Sequence, residues 1–225
     1  MMDMQGFSDQ IAIGAATTLQ TAATSLVLGI GLGLCGAAAK RARSKMIRSL
    51  AGVYTTVVRG IPELLIILIL YFGGTAALSA LSGRYVEVNA FAAGVFALTI
   101  VFAAYATEVF RAAIDAVPEG QIEAARALGL TTVCIWRLVV LPQMWRYALP
   151  GLGNLWLTLL KDSALISVVG LDDLMRKASI AAGVTHDPLT YYSAAALIYL
   201  SLTSISLVAL AVLEQRSSRG LPAAV

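Results

Sequence analysis

Long apolar runs alternate with short polar connections along this chain. Gln10 to Ala39, Leu64 to Gly83, Val88 to Thr107 and Pro188 to Leu213 carry no charged side chain. A fifth run, Tyr147 to Leu171, is interrupted only by Lys161 and Asp162. A helix that crosses a bilayer needs about 20 mostly apolar residues, and each run reaches that length. The pattern predicts an all-α membrane protein with five transmembrane helices, forming one domain over residues 1–225. The spans are placed at about 11–39, 52–81, 88–112, 147–171 and 189–213.

One polar connection is longer than the others and has its own local grammar. Pro118 suits the first turn of a helix, and Glu119 to Leu128 are mostly good helix formers. Gly129 is placed to stop that helix in the left-handed conformation. Thr131 or Thr132 caps a second helix that continues to Leu141, where Pro142 ends or kinks it. Residues 117–142 therefore read as two short helices around a glycine turn at the membrane surface. Ala124, Ala125 and Ala127 make the first helix thin, and Glu123 adds a negative point. A thin helix of this kind fits a groove on a partner; an interfacial amphipathic helix is the other structural reading.

Composition agrees with membrane residence: 59% of the 225 residues are hydrophobic and 13% are charged, against about 25% charged in soluble domains. The formal charge of +3 is explained by sidedness. Lys40, Arg41, Arg43, Lys45, Arg48, Arg59, Arg111, Arg126, Arg137, Arg146, Arg216 and Arg219 fall on one side, and Arg84, Arg176 and Lys177 on the other. The positive-inside rule makes the first side cytoplasmic, with the amino terminus (Asp3, Asp9) outside and the carboxyl terminus inside. A nucleic-acid surface is excluded because no soluble fold remains to carry it. The amino-terminal run has an acidic leader and is too long for a signal peptide.

Several smaller features read as structural. Gly31-Leu-Gly-Leu-Cys-Gly36 matches a dinucleotide fingerprint by letters but lacks the strand and helix around it. It reads instead as a small-residue face, centred on Gly29-x-x-x-Gly33, for close helix packing. Cys35 and Cys134 form no metal site and no disulfide. His186 is the single histidine and reads as a solvated loop residue. Pro62, in Arg59-Gly-Ile-Pro-Glu63, kinks or starts a helix.

The longer connection also resembles a known signature. Glu123-Ala124-Ala125, Gly129, Val139 and Leu141-Pro142 fit E-A-A-x3-G-x9-I-x-L-P, with Val139 in place of Ile. This is the motif of permeases of binding-protein-dependent ABC importers. Arg59-Gly-Ile-Pro-Glu63, Tyr105-x-Thr107-Glu108-x-Phe110-Arg111, Ala113-x-x-x-Val117-Pro118-x-Gly120, Arg146-x-Ala148-Leu-Pro150-Gly-x-Gly-Asn154 and Leu160-Lys161-x-Ser163-Ala-Leu165 resemble the polar amino-acid branch. The similarity covers nearly the whole chain and is nearest to Q-type subunits of histidine, lysine, arginine, ornithine and opine importers. It implies a multi-pass permease subunit of the bacterial inner membrane with the type I importer fold. The chain is then not an enzyme: it holds no cofactor, and ATP and Mg belong to a partner ATPase. The implied partners are a second permease, an M-type heterodimer partner, two copies of the cytoplasmic ATPase, a periplasmic substrate-binding protein and membrane lipid. Glu123, Ala124, Ala125, Gly129, Leu141 and Pro142 would couple to the ATPase. The absence of a phosphate-loop motif fits that division of labour.

Ionisable groups inside a span are costly and usually face a cavity or a partner. Lys161, Asp162 and Ser163 in the fourth span and Glu108 in the third are the candidate substrate-binding residues. Asp162 suits an ammonium or guanidinium, and Lys161 or Ser163 a carboxylate. A second reading makes the adjacent charges structural, snorkelling or pairing with a neighbouring subunit. A secondary transporter or channel without an ATPase is the competing function, and it leaves Glu123 to Pro142 unexplained. The exact substrate, and whether its site lies on this chain or on the partner permease, stay open at this level.

Overall fold

The structure is a computed structural model that describes residues 6–218; Asp3 and Arg219 lie outside the described residues. Every element among the described residues is helical: α1 (Ser8–Lys40), α2 (Lys45–Gly60), α3 (Glu63–Ser82), α4 (Ala90–Asp115), α5 (Glu119–Ala127), α6 (Thr132–Val169), α7 (Leu174–Thr185) and α8 (Pro188–Ser218). Five of them, α1, α3, α4, α6 and α8, are long and apolar enough to cross a membrane.

Helix α4 is the centre of the bundle. Ala97, Phe102, Ala103, Ala106 and Phe110 on it are all buried, and α1, α2, α3 and α6 pack around it. Asn89 starts it, its side chain accepting the Ala92 amide at 3.0 Å. Helix α1 lies along α4 through its small-residue face. A Cβ placed on Gly29 would meet the Phe102 ring, and one placed on Gly33 would lie 2.8 Å from the Ala106 methyl. The Thr107 hydroxyl donates to the Gly33 carbonyl at 3.3 Å and to Ala103 at 2.7 Å. Close approach of backbones, not bulky interdigitation, thus joins α1 to the core.

Three features differ from the sequence expectation. The second span does not begin at residue 52. Helix α2 ends at Gly60, Ile61 and Pro62 are extended, and α3 restarts at Glu63. A proline forces the residue before it out of helical geometry, and the Pro62 carbonyl takes the Leu65 amide at 3.0 Å as the new helix begins. Helix α2 is then a separate segment in which only Ala51 and Thr55 are buried.

Of the two outcomes expected at Pro142, an end or a kink, the helix end is not found. A π turn at Trp136–Val140 immediately precedes the proline, and the helix runs on through Pro150. The wider turn is a way to take up the missing amide and the ring of a proline without breaking the helix.

The segment after the fourth span holds a third difference, the helix α7. It ends with His186 at φ 56°, so that residue closes a helix. Ala178, Ala181 and Ala182 of α7 pack with Ile11 of α1 and Tyr191 and Ala195 of α8.

Candidate functional site

The segment with the E-A-A pattern folds back on itself through its glycine. In α5, the Gly129 amide donates to Arg126 at 2.9 Å and the Leu130 amide to Ala125 at 3.1 Å, with Gly129 at φ +76°. This pair of bonds around a left-handed residue is a Schellman cap. The apolar contact that accompanies such a cap is present, since Ala125 and Leu130 share a small cluster with Val117, Ile135 and Val140. The Thr131 side chain then accepts the Cys134 amide at 3.4 Å and starts α6. Ala125 is buried in this cluster, whereas Glu123 and Ala124 are exposed. Leu141 is 39% exposed. The outward face of α5 is therefore short and small, and carries the carboxylates of Glu119 and Glu123, both exposed.

The four intramembrane candidates part company. Asp162 lines a cavity of about 190 Å³ between α3, α4 and α6, together with Glu63, Tyr105 and Thr158. Lys161 is exposed and does not line it. Ser163 is buried, and its hydroxyl donates back to the Leu160 carbonyl at 2.8 Å. Glu108 is held by Lys40 of α1 and, at 3.0 Å, by Arg111. Arg111 also pairs with Asp115 at 3.0 Å, and Asp115 with Arg41. Glu108 thus belongs to an ion network tying the ends of α1 and α4 together, away from the cavity.

Glu63 was not among the residues singled out for the cavity. Its signals in the sequence are its place after Pro62, at the first turn of α3, and its membership of the Arg59-Gly-Ile-Pro-Glu63 motif. Among the described residues neither Glu63 nor Asp162 makes an ion pair. Leu98, Val101, Phe102, Leu155 and Leu159 form the apolar remainder of the wall. Two carboxylates on a largely apolar cavity wall that itself carries no lysine or arginine favour a cation. At its edge the Arg59 guanidinium stacks on the Tyr105 ring, 5.1 Å from its centroid. No group of three or more metal-ligating side chains occurs among the described residues.

Comparison with known proteins adds four findings. A family model described as the inner membrane component of binding-protein-dependent transport systems matches residues 25–219. The arginine ABC transporter permease protein ArtQ of Haemophilus influenzae is 44% identical, over 95% of this chain and 97% of that one. The nopaline transport system permease protein NocQ of Agrobacterium fabrum is 46% identical, over 96% of this chain and 94% of that one. Among solved structures, an amino acid ABC transporter with histidines matches with a TM-score of 0.85 at 37% identity, covering 95% of this chain and 96% of that one.

Proposed function

The chain belongs to the family of inner membrane components of binding-protein-dependent transport systems, and from that premise we propose that it imports cationic amino acids or amino-acid-derived opines through the cavity that Glu63 and Asp162 line. The observation that carries the substrate class is that pair of unpartnered carboxylates. A guanidinium or ammonium side chain entering the cavity supplies the missing positive charge. The names of its relatives, which include permeases for arginine and nopaline, support the same class.

The chain itself does no ATP chemistry in this reading. ATP and Mg²⁺ sit on a partner ATPase in the cytoplasm, two copies per assembly. The exposed face of α5, with Glu123 and Ala124, seats in that ATPase, and the Gly129 cap and the Leu141-Pro142 region hold α5 at a fixed angle to α6. A second permease, an M-type chain, completes the pathway, and a periplasmic binding protein delivers substrate to the outer ends. The excess of lysine and arginine in one set of connections favours, by the positive-inside rule, an amino terminus outside and a carboxyl terminus inside a bacterial inner membrane.

The test is uptake by the complete complex reconstituted in vesicles. Labelled arginine, lysine, histidine, ornithine and nopaline are compared with glutamine and glutamate. Uptake that requires ATP and prefers the cations is the expected result. Glu63→Gln and Asp162→Asn should each raise the apparent KM for arginine, about tenfold for a cavity charge contributing ~1.4 kcal/mol, with assembly intact. Unchanged KM in both variants, or equal uptake of glutamine, would remove the proposed substrate site.

A further inference from the structure

Two cavities beside α5 share part of their walls. The first, about 320 Å³, lies between the inner end of α1 and the start of α6, and is apolar: Leu34, Ala37, Ala38, Leu141 and Met144 line it. The second, about 160 Å³, lies against α5 and contains the guanidinium-bearing residues Arg41 and Arg126 and the hydroxyl-bearing Thr132. Arg41, Ile114 and Trp136 line both, so the two form one groove with an apolar half and a basic half. The apolar half is open at the surface between Ala38 and Leu141, both exposed. Its small residues Ala37 and Ala38 leave room where larger side chains would close the gap.

We propose that this groove is a binding site for one anionic phospholipid, with its acyl chain along Leu34, Ala38 and Leu141 and its phosphate between Arg41 and Arg126. The polarity of the groove runs in the order a lipid requires. The apolar end is built from α1 and α6, two of the membrane-spanning helices, with Ile114 of α4, and the basic end from Arg41, just after α1, and Arg126 of α5, just before α6. Trp136, 36% exposed, stands at the join, where an indole ring suits the headgroup level. Basic pockets between spans at the end of a membrane helix select anionic headgroups.

Charge bookkeeping within the groove supports the anion. Arg41 is partly neutralised by Asp115, but Arg126 makes no ion pair among the described residues. A phosphodiester would complete Arg126 and leave the Arg41–Asp115 pair in place. The acyl half excludes a free phosphate or nucleotide as the natural occupant, since neither would fill the space along Leu34 and Leu141. Because Ile114, Trp136 and Val140 support α5 from behind, a lipid seated here would also stiffen the platform of that helix.

The site is tested on the complete complex, in nanodiscs of phosphatidylcholine with phosphatidylglycerol, by native mass spectrometry of retained lipid. Wild type should keep one phosphatidylglycerol per copy of this chain in preference to phosphatidylcholine. Arg126→Gln should lower that retention about fivefold, the weight of one surface guanidinium for an anionic lipid. Ala38→Trp, which fills the apolar half and changes no charge, should lower it as well, while added inorganic phosphate should not compete. Equal retention in both variants overturns the proposal, and so does equal retention of phosphatidylcholine. Lipid held by the isolated permease but released when the ATPase binds would give the groove to the ATPase and overturn it too.

Discussion

Gly33 of α1 faces Ala106 of α4 so closely that a Cβ on the glycine would stand 2.8 Å from the alanine methyl. One turn further, the space beside Gly36 is taken by the Thr107 side chain, whose hydroxyl also holds the Gly33 carbonyl. The main helix pair of the fold therefore depends on what these positions lack. Gly31, two residues away, faces open space.

That contrast makes a prediction within one helix. Gly33→Val should destabilise the permease by about 1–3 kcal/mol, the usual cost of overpacking a closed contact. Gly31→Ala should be neutral or slightly stabilising, since glycine costs a helix interior about 0.5–1 kcal/mol relative to alanine. Thermal unfolding of the detergent-solubilised protein, followed by tryptophan fluorescence, compares the two. Equal midpoints would mean that the α1–α4 contact is looser than the structure has it.

A second prediction concerns pH. Asp173 caps α7, its Oδ1 accepting the Arg176 amide at 2.8 Å, while Oδ2 is buried with no partner among the described residues. Burial pushes its carboxyl up to about 6, against about 3.9 in an unfolded chain. Between those values the native state binds the proton and the unfolded state does not. This contribution therefore favours folding below about pH 4, is lost as pH rises through 6, and is absent at neutral pH. Asp173→Asn keeps the capping oxygen and removes the buried charge. It should raise the unfolding midpoint at pH 7.5, by up to about 3 kcal/mol in stability, and the gap should close towards pH 4. A variant less stable than wild type at pH 7.5 would mean that the buried charge has a favourable partner.

The elements legible in the sequence were those fixed by local chemistry. The Gly129 stop and the Thr131 cap act within a few residues of themselves, and both stand where the letters put them. The glycine face of α1 was legible because small residues recur on one side of an apolar helix. The break at Pro62 was partly legible: Val53, Val57 and Val58 continue the apolar run, so length alone joined α2 to the span that follows. Helix α7 is short and mixed in polarity, and its buried alanines gain meaning only when α1 and α8 arrive beside them. Glu108 shows the same limit. Arg111 was visible three residues on, but Lys40 comes from another helix. For Asp162, the missing knowledge was Glu63, which meets it only across the cavity between α3 and α6.

Sidedness is open to direct measurement. Ser44 lies exposed between α1 and α2, and Gly183 is exposed in α7 with open space around it. Single cysteines would be introduced at each position in a chain with Cys35 and Cys134 replaced. An impermeant thiol reagent on intact spheroplasts should label position 183 and spare position 44. The opposite labelling would turn the protein over and move α5 to the wrong side for a cytoplasmic ATPase.

The last prediction tests coupling. If hydrolysis on a partner chain moves this one, the contact between them must differ in strength between the two conformations, because a contact equal in both shifts nothing. The orientation of α5 is set at Gly129, where a side chain would meet nothing within 4 Å but the backbone stands at φ +76°. Gly129→Val therefore acts through backbone strain alone, of order 1–3 kcal/mol, and relief of that strain opens the cap bonds to Ala125 and Arg126. Gly129→Asn, a residue that tolerates the left-handed region, should preserve them. Ala125→Asp acts differently, by placing a charge in the small apolar cluster that holds α5 against Ile135 and Val140. We expect Gly129→Val and Ala125→Asp to reach the membrane but to lose transport, and Gly129→Asn to keep most of it. The reconstituted complex is assayed for retained ATPase, for hydrolysis stimulated by substrate-loaded binding protein, and for uptake. Normal stimulation and uptake in Gly129→Val and Ala125→Asp would show that α5 is not the coupling element. Loss in Gly129→Asn equal to that in Gly129→Val would show that backbone handedness is not what the glycine supplies.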